Sequence, residues 1–181
     1  PQVWQFTGAA WVHEHTCVPL DGEYKQYVYA GTIDDPYVLI GAPNDFSAGP
    51  GFGAVYVYYR SGGGTWVETQ ELLPGFSAPN DFGKAIDASA EGLIVGSPGS
   101  NPPRYSLWRR NNGFYSLDAL SQVNDGAGGT AVAMDGDRAV LNVSSTNVRL
   151  IERNPSTGIW SLHGGVSGPV RFGEALDLDD G

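Results

Sequence analysis

The side chains able to do chemistry sit at regular intervals, and most of them are acidic. Asp34-Asp35, Asp87 with Glu91, Asp135 with Asp137, and Asp177 with Asp179 and Asp180 recur along the chain, each next to a turn signal. Calcium takes six to eight oxygens, supplied in loop sites by carboxylates spaced over about nine to twelve residues. Asp135-Gly136-Asp137 is too short for that and reads as a hairpin turn. Asp177, Asp179 and Asp180 come nearest and are the calcium candidates; the other acidic pairs are expected to do ordinary turn chemistry. No other cofactor is implied. His13 and His15 alternate along one predicted strand and would share a face, but two imidazoles without a third ligand leave a metal site incomplete. Ser97 in Gly96-Ser97-Pro98-Gly99-Ser100 lacks the order of a nucleophile elbow. Cys17, the single cysteine, reads as a small buried side chain. Asn142-Val143-Ser144 is a glycosylation sequon, which makes Asn142 a candidate modification site in a secretory setting. No nucleophile with a positioned base and no acid/base pair can be assembled, so the expectation is a protein that binds and does not catalyse.

These residues are set at intervals because the chain is built from repeats. Trp11 recurs as Trp66, Tyr27 as Phe82, and Gly41-Ala42-Pro43 as Gly96-Ser97-Pro98, all at one constant offset. Phe82-Gly83 recurs as Gly128-Gly129 and Phe172-Gly173 at somewhat shorter spacing. A period of roughly 40 to 50 residues made of short strands predicts an all-β propeller with one four-stranded blade per unit. With 26 Gly and 12 Pro and abundant Val, Tyr, Trp and Phe, the composition fits many short strands joined by tight turns.

Alternation and turn signals place strands at 3–6, 10–18, 26–32 and 37–41, then at 54–59, 65–73, 82–88 and 92–96. A third set falls at 105–109, 114–120, 129–134 and 138–143. A fourth offers 148–152, 158–163 and 171–178, one strand short. The predicted units are therefore blades at 1–49, 50–101 and 102–145, and an incomplete blade at 146–181, to be completed by a strand from outside the segment. The aromatics Trp11, Trp66, Phe114 or Tyr115, and Trp160 recur once per unit, and a series of this kind is expected to be core.

A net charge of −10 argues against nucleic acid or an anionic membrane as partner, since both call for a basic footprint. No apolar run is long enough for a membrane-spanning helix. The partners expected are protein, or glycan stacked on the loop aromatics Phe46, Phe52, Phe76 and Tyr105.

Phe82-Gly83 followed by Gly92-Leu93-Ile94-Val95-Gly96-Ser97-Pro98, with Ile40-Gly41-Ala42-Pro43 and Phe172-Gly173-Glu174-Ala175, resembles the FG-GAP repeat of integrin α-subunit propellers. The resemblance is nearer still to variants in secreted and surface proteins of microbes. It spans the chain and is weakest in the third unit, where Gly128 replaces the aromatic and Leu141-Asn142-Val143 replaces the Gly-Ala-Pro end. The resemblance implies an extracellular or cell-surface location and a role in adhesion, protein binding or assembly, with carbohydrate binding as the alternative. It also implies a ring of about seven blades, of which this segment would be part, and allows the last acidic turn to hold calcium.

Overall fold

The computed structural model describes residues 1–20, 28–47, 49, 52–75, 81–122 and 128–179. Fourteen strands and no helix occur among them. Gln2–Phe6 (β1) and Trp11–Thr16 (β2) form a two-stranded sheet, here sheet I. Sheet II comprises Ala30–Asp34 (β3), Tyr37–Ala42 (β4), Ala54–Arg60 (β5) and Trp66–Leu72 (β6). Sheet III comprises Ala85–Ser89 (β7), Gly92–Ser97 (β8), Arg104–Asn111 (β9) and Phe114–Gln122 (β10). Sheet IV comprises Val132–Asp135 (β11), Arg138–Asn142 (β12), Asn147–Arg153 (β13) and Trp160–Ser167 (β14). These strands all pair antiparallel between chain neighbours, and one isolated parallel bridge joins Gly53 and Phe82.

The all-β expectation holds, but the boundaries predicted at 49, 101 and 145 do not match the hydrogen-bonded sheets. Each four-stranded sheet takes the last two strands of one sequence unit and the first two of the next, so the sheets are offset from the units by two strands. The physical reason is backbone pairing across the motif end. A tight hairpin joins β4 to its predecessor, and β5 returns beside β4 after the Asn44 loop, so pairing runs through the motif end instead of breaking there. The predicted strand at 171–178 is also corrected: the described part of this stretch is turn and coil, with Arg171 at φ 75°.

Side-chain alternation explains how the sheets stack. On β4, Val38 and Ile40 join Val3 of sheet I and Cys17 just after it, while Tyr37 and Leu39 join Ile86 and Leu93 of sheet III and Phe82 just before it. On β9 and its neighbours the same split recurs, with Trp108 and Tyr115 packed against sheet II and Leu107 and Ile94 packed against Val132, Leu141 and Ile151 of sheet IV. A strand buried on both faces reads as a continuous apolar run, which is what β4 and β8 are.

The sheets come nearest at their first strands, β3 against β7 and β7 against β11. Asp87 bridges all three: Thr32 Oγ1 donates to its Oδ1 at 2.9 Å, and the Met134 amide donates to its Oδ2 at 2.8 Å. Glycine makes the approach feasible. Gly83 and Gly129 adopt φ of 89° and 78°, the left-handed region that side chains disfavour, and a Cβ on Gly41 or Gly96 would run into the Gly83 or Gly129 carbonyl of the next sheet.

Candidate functional site

The outer strand of every sheet carries one extra residue: Glu14 in β2, Thr69 in β6, Asp118 in β10 and His163 in β14. Such a bulge leaves one residue unpaired and reverses the facing of the strand beyond it. The every-second-residue series that starts at the aromatic therefore looks back to the preceding sheet before the bulge, and the residue just after the bulge looks forward to the next sheet. His13 and His15, expected on one face, are separated in this way. His13 pairs edge-on with Trp4 on the outward face, and His15 lies against Tyr58 of sheet II.

An arginine stands at the end of the third strand of each four-stranded sheet, or one residue before it, opposite an aromatic on the fourth: Arg60 with Trp66, Arg110 with Tyr115, Arg153 with Trp160. The arginine amides bond the turn of their own sheet, at Pro36, Glu91 and Asp137. Their guanidinium groups take up the acidic residues. Arg60 holds Glu14 and Asp35 at 3.2 and 2.6 Å, Arg110 holds Asp34 at 2.6 Å, and Arg153 holds Asp118 at 3.2 Å beside Asp137. Asp34 of the first acidic turn and the bulge residues Glu14 and Asp118 thus tie neighbouring sheets together, while Asp35 and Asp137 pair within their own sheets. Sequence reasoning missed these arginines, although their once-per-unit recurrence was the signal. Burial pushes the Tyr115 hydroxyl up to about 12, partly offset by Arg110 beside it. Burial likewise pushes the Cys17 thiol up to about 11, as suits an inert core cysteine.

The residue just after each bulge fills the space between two outer strands, and here the interfaces differ. His15 fills it between sheets I and II. Gln70 fills it between II and III, where its carboxamide accepts from the Tyr115 amide at 2.6 Å and donates to the Tyr115 carbonyl at 3.0 Å. Between III and IV the residue is Ala119, and a cavity of about 330 Å³ is left. Leu107, Ala119, Ile151 and Leu162 make its apolar wall, Tyr105 and Trp160 its aromatic one, and Arg149 and Ser161 its polar groups. Trp160 is fixed there because its Nε1 donates to Asp118 at 2.8 Å.

The structure scatters the residues singled out from sequence. Tyr105 lines the cavity; Phe46 and Phe52 sit in the β4–β5 loop and do not; Phe76 lies outside the described residues. Asp177 and Asp179 are exposed, with Asp177 accepting from the Leu178 amide, and Asp180 lies outside the described residues. Among the described residues no three His, Cys, Asp or Glu side chains gather as a metal would require. The sequon reading of Asn142 is corrected. Its side chain is buried, with Oδ1 accepting from the Thr130 and Ala131 amides and Nδ2 donating to Thr130 Oγ1 at 2.6 Å, so a glycan has no access to that nitrogen.

No protein-family model matches the chain, and no curated protein does.

The aromatic series separates by position in the stack. Trp66 is 6% exposed because sheet I covers it, and Tyr115 is 3% exposed because sheet II covers it. Trp11, at the equivalent place in sheet I, is 68% exposed and pairs with the exposed Phe6, with Trp4 beside them. Trp11 is therefore not part of the core that the described sheets form. Its side chain looks back from sheet I, where no described sheet stands. Phe114 is exposed as well, so Tyr115 is the member of that pair that belongs to the core.

Proposed function

We propose that the four sheets are consecutive blades of a β-propeller of the FG-GAP type, and that the chain works by binding protein and by assembly, not by catalysis, outside the cell or at its surface. The observation that carries this is the exposure of Trp11. Trp66 and Tyr115 are covered by the preceding sheet and Trp160 is partly buried against it, whereas sheet I carries the same bulge and aromatic, with Phe6 in place of the arginine, and its Trp4, Phe6 and Trp11 are exposed. Clustered exposed aromatics of this kind mark interaction surfaces. The partner is another sheet of the same construction, which would bury Trp11 as sheet I buries Trp66. The glycine contacts at Gly41–Gly83 and Gly96–Gly129 support the propeller reading, because they sit where the FG and Gly-Ala-Pro segments of the resemblance meet.

Size-exclusion chromatography with light scattering on the 181-residue chain tests the proposal. Concentration-dependent association is expected, and the double variant Phe6→Ser, Trp11→Ser should suppress it without loss of the folded circular-dichroism signal. A monodisperse monomer at every concentration, with a sharp thermal transition, overturns it.

A further inference from the structure

We propose that the cavity between sheets III and IV binds a small primary carboxamide through the main chain of Trp160. Its volume, about 330 Å³, lies at the lower end of the range for small-molecule sites, roughly 300 to 1,000 Å³. The filled interface beside it shows what the space accepts. There the Gln70 carboxamide bonds both backbone polar groups of Tyr115, accepting from the amide at 2.6 Å and donating to the carbonyl at 3.0 Å. Trp160 is the counterpart of Tyr115, and its backbone is turned the same way. Arg110 and Arg153, their partners on the adjoining strands, direct their amides inward to Glu91 and Asp137, so the amide and carbonyl of Tyr115 and of Trp160 lie on the outer edge of their sheets. On Tyr115 that edge is taken by Gln70; among the described residues the backbone of Trp160 has no hydrogen-bond partner. Two residues make room for an amide from outside. Ala119 stands where Gln70 does, and Ile151, two residues before Arg153, stands where Trp108 precedes Arg110. The donor and the acceptor offered to the ligand are therefore main-chain groups, while Arg149, also in the wall, already has an interaction partner of its own. A carboxylate can accept from the Trp160 amide but would set its second negative oxygen against the Trp160 carbonyl. A trans secondary amide points its N–H away from its own C=O and cannot make both bonds at once. A primary carboxamide presents donor and acceptor side by side, as Gln70 does. The rest of the wall suits a ligand body that is part apolar and part polar, with Leu107, Ile151 and Leu162 beside Ser161 and the rings of Tyr105 and Trp160. The site lies wholly within the chain and does not depend on the assembly role.

Isothermal titration calorimetry and heteronuclear NMR with benzamide, benzoate, N-methylbenzamide and methyl glucoside test the inference on the full chain. Benzamide should bind and shift the backbone amide resonance of Trp160. Benzoate and N-methylbenzamide should each bind about fivefold more weakly for want of one hydrogen bond, and methyl glucoside should give no signal. Ala119→Gln should abolish benzamide binding while keeping a cooperative thermal transition, because the new side chain supplies the amide from within. Ile151→Trp closes the same space from the opposite wall, as Trp108 does in the neighbouring interface, and should abolish binding even if Ala119→Gln fails to fold. No binding of benzamide at millimolar concentration, benzoate or N-methylbenzamide binding as tightly as benzamide, an unmoved Trp160 amide resonance, or binding that survives either filled variant overturns the proposal. Binding of the glucoside in preference to benzamide overturns it in favour of a carbohydrate site.

Discussion

The interfaces between sheets II and III and between sheets III and IV share a backbone plan and differ in how they are filled. Both have a glycine contact at the first strands, a bulge in the outer strand, and an arginine opposite an aromatic. In the first, Phe82 is fully buried against Trp108, and Gln70 clamps Tyr115. In the second, Gly128 stands where Phe82 does and Ala119 where Gln70 does, and a cavity remains. Backbone geometry therefore sets where the sheets sit, and individual side chains decide whether the space between them is closed.

The comparison breaks hardest at Phe82. Phe82→Ala should destabilise the chain by about 3 to 5 kcal/mol in a denaturant titration, the range for a large aromatic deleted from a core. A loss below about 1 kcal/mol would mean that the first interface is no better packed than the second. Gly96→Ala should come next, at about 3 kcal/mol, because its Cβ would strike the Gly129 carbonyl and backbone cannot swing aside as a flexible side chain does. An unchanged melting temperature would show that the sheets are free to slide.

Alkaline titration reads the filled interface directly. Tyr115 holds its proton up to about 12, against an ordinary value of 10.0, so above pH 10.0 the unfolded chain releases a proton that the folded one retains. Stability should be flat in this respect below about pH 10 and fall between about 10 and 12, by about 2 to 3 kcal/mol in all. Tyr115→Phe should flatten that fall. Gln70→Ala, which gives the first interface the alanine of the second, should have the smallest effect, about 1 kcal/mol from the lost side-chain to backbone bonds. A much larger loss would indicate that Gln70 does more than occupy the gap.

What the sequence made legible was mostly backbone constraint. Gly41, Gly83 and Gly96 recur because no other residue fits the contact or the φ, and the weak third unit, with Gly128 and Asn142 out of pattern, is where the packing is incomplete. The phase of the sheets was not legible, because a repeat can be counted from any of its strands and hydrogen bonding chooses the origin. The bulges were invisible, since Glu14, Thr69, Asp118 and His163 share no chemical character and the extra residue is a matter of pairing. That hidden feature decided the fate of His13 and His15, and it turned Ala119, an unremarkable alanine in sequence, into the opening of the cavity. Trp11 marks the limit of recurrence as a signal: it shows that a position belongs to the repeat, while burial requires a neighbour to cover it.

The glycine joints have a further consequence. Where Gly41 meets Gly83 and Gly96 meets Gly129, main chain rests on main chain, with no side chain between them to compress or exchange. The step from one sheet to the next at these joints is set by the thickness of two polypeptide backbones, a quantity that mutation elsewhere in the chain does not alter. Any angular error at such a joint would multiply with each added sheet, so a joint without adjustable parts is what lets an array of unlike sequences keep a constant pitch.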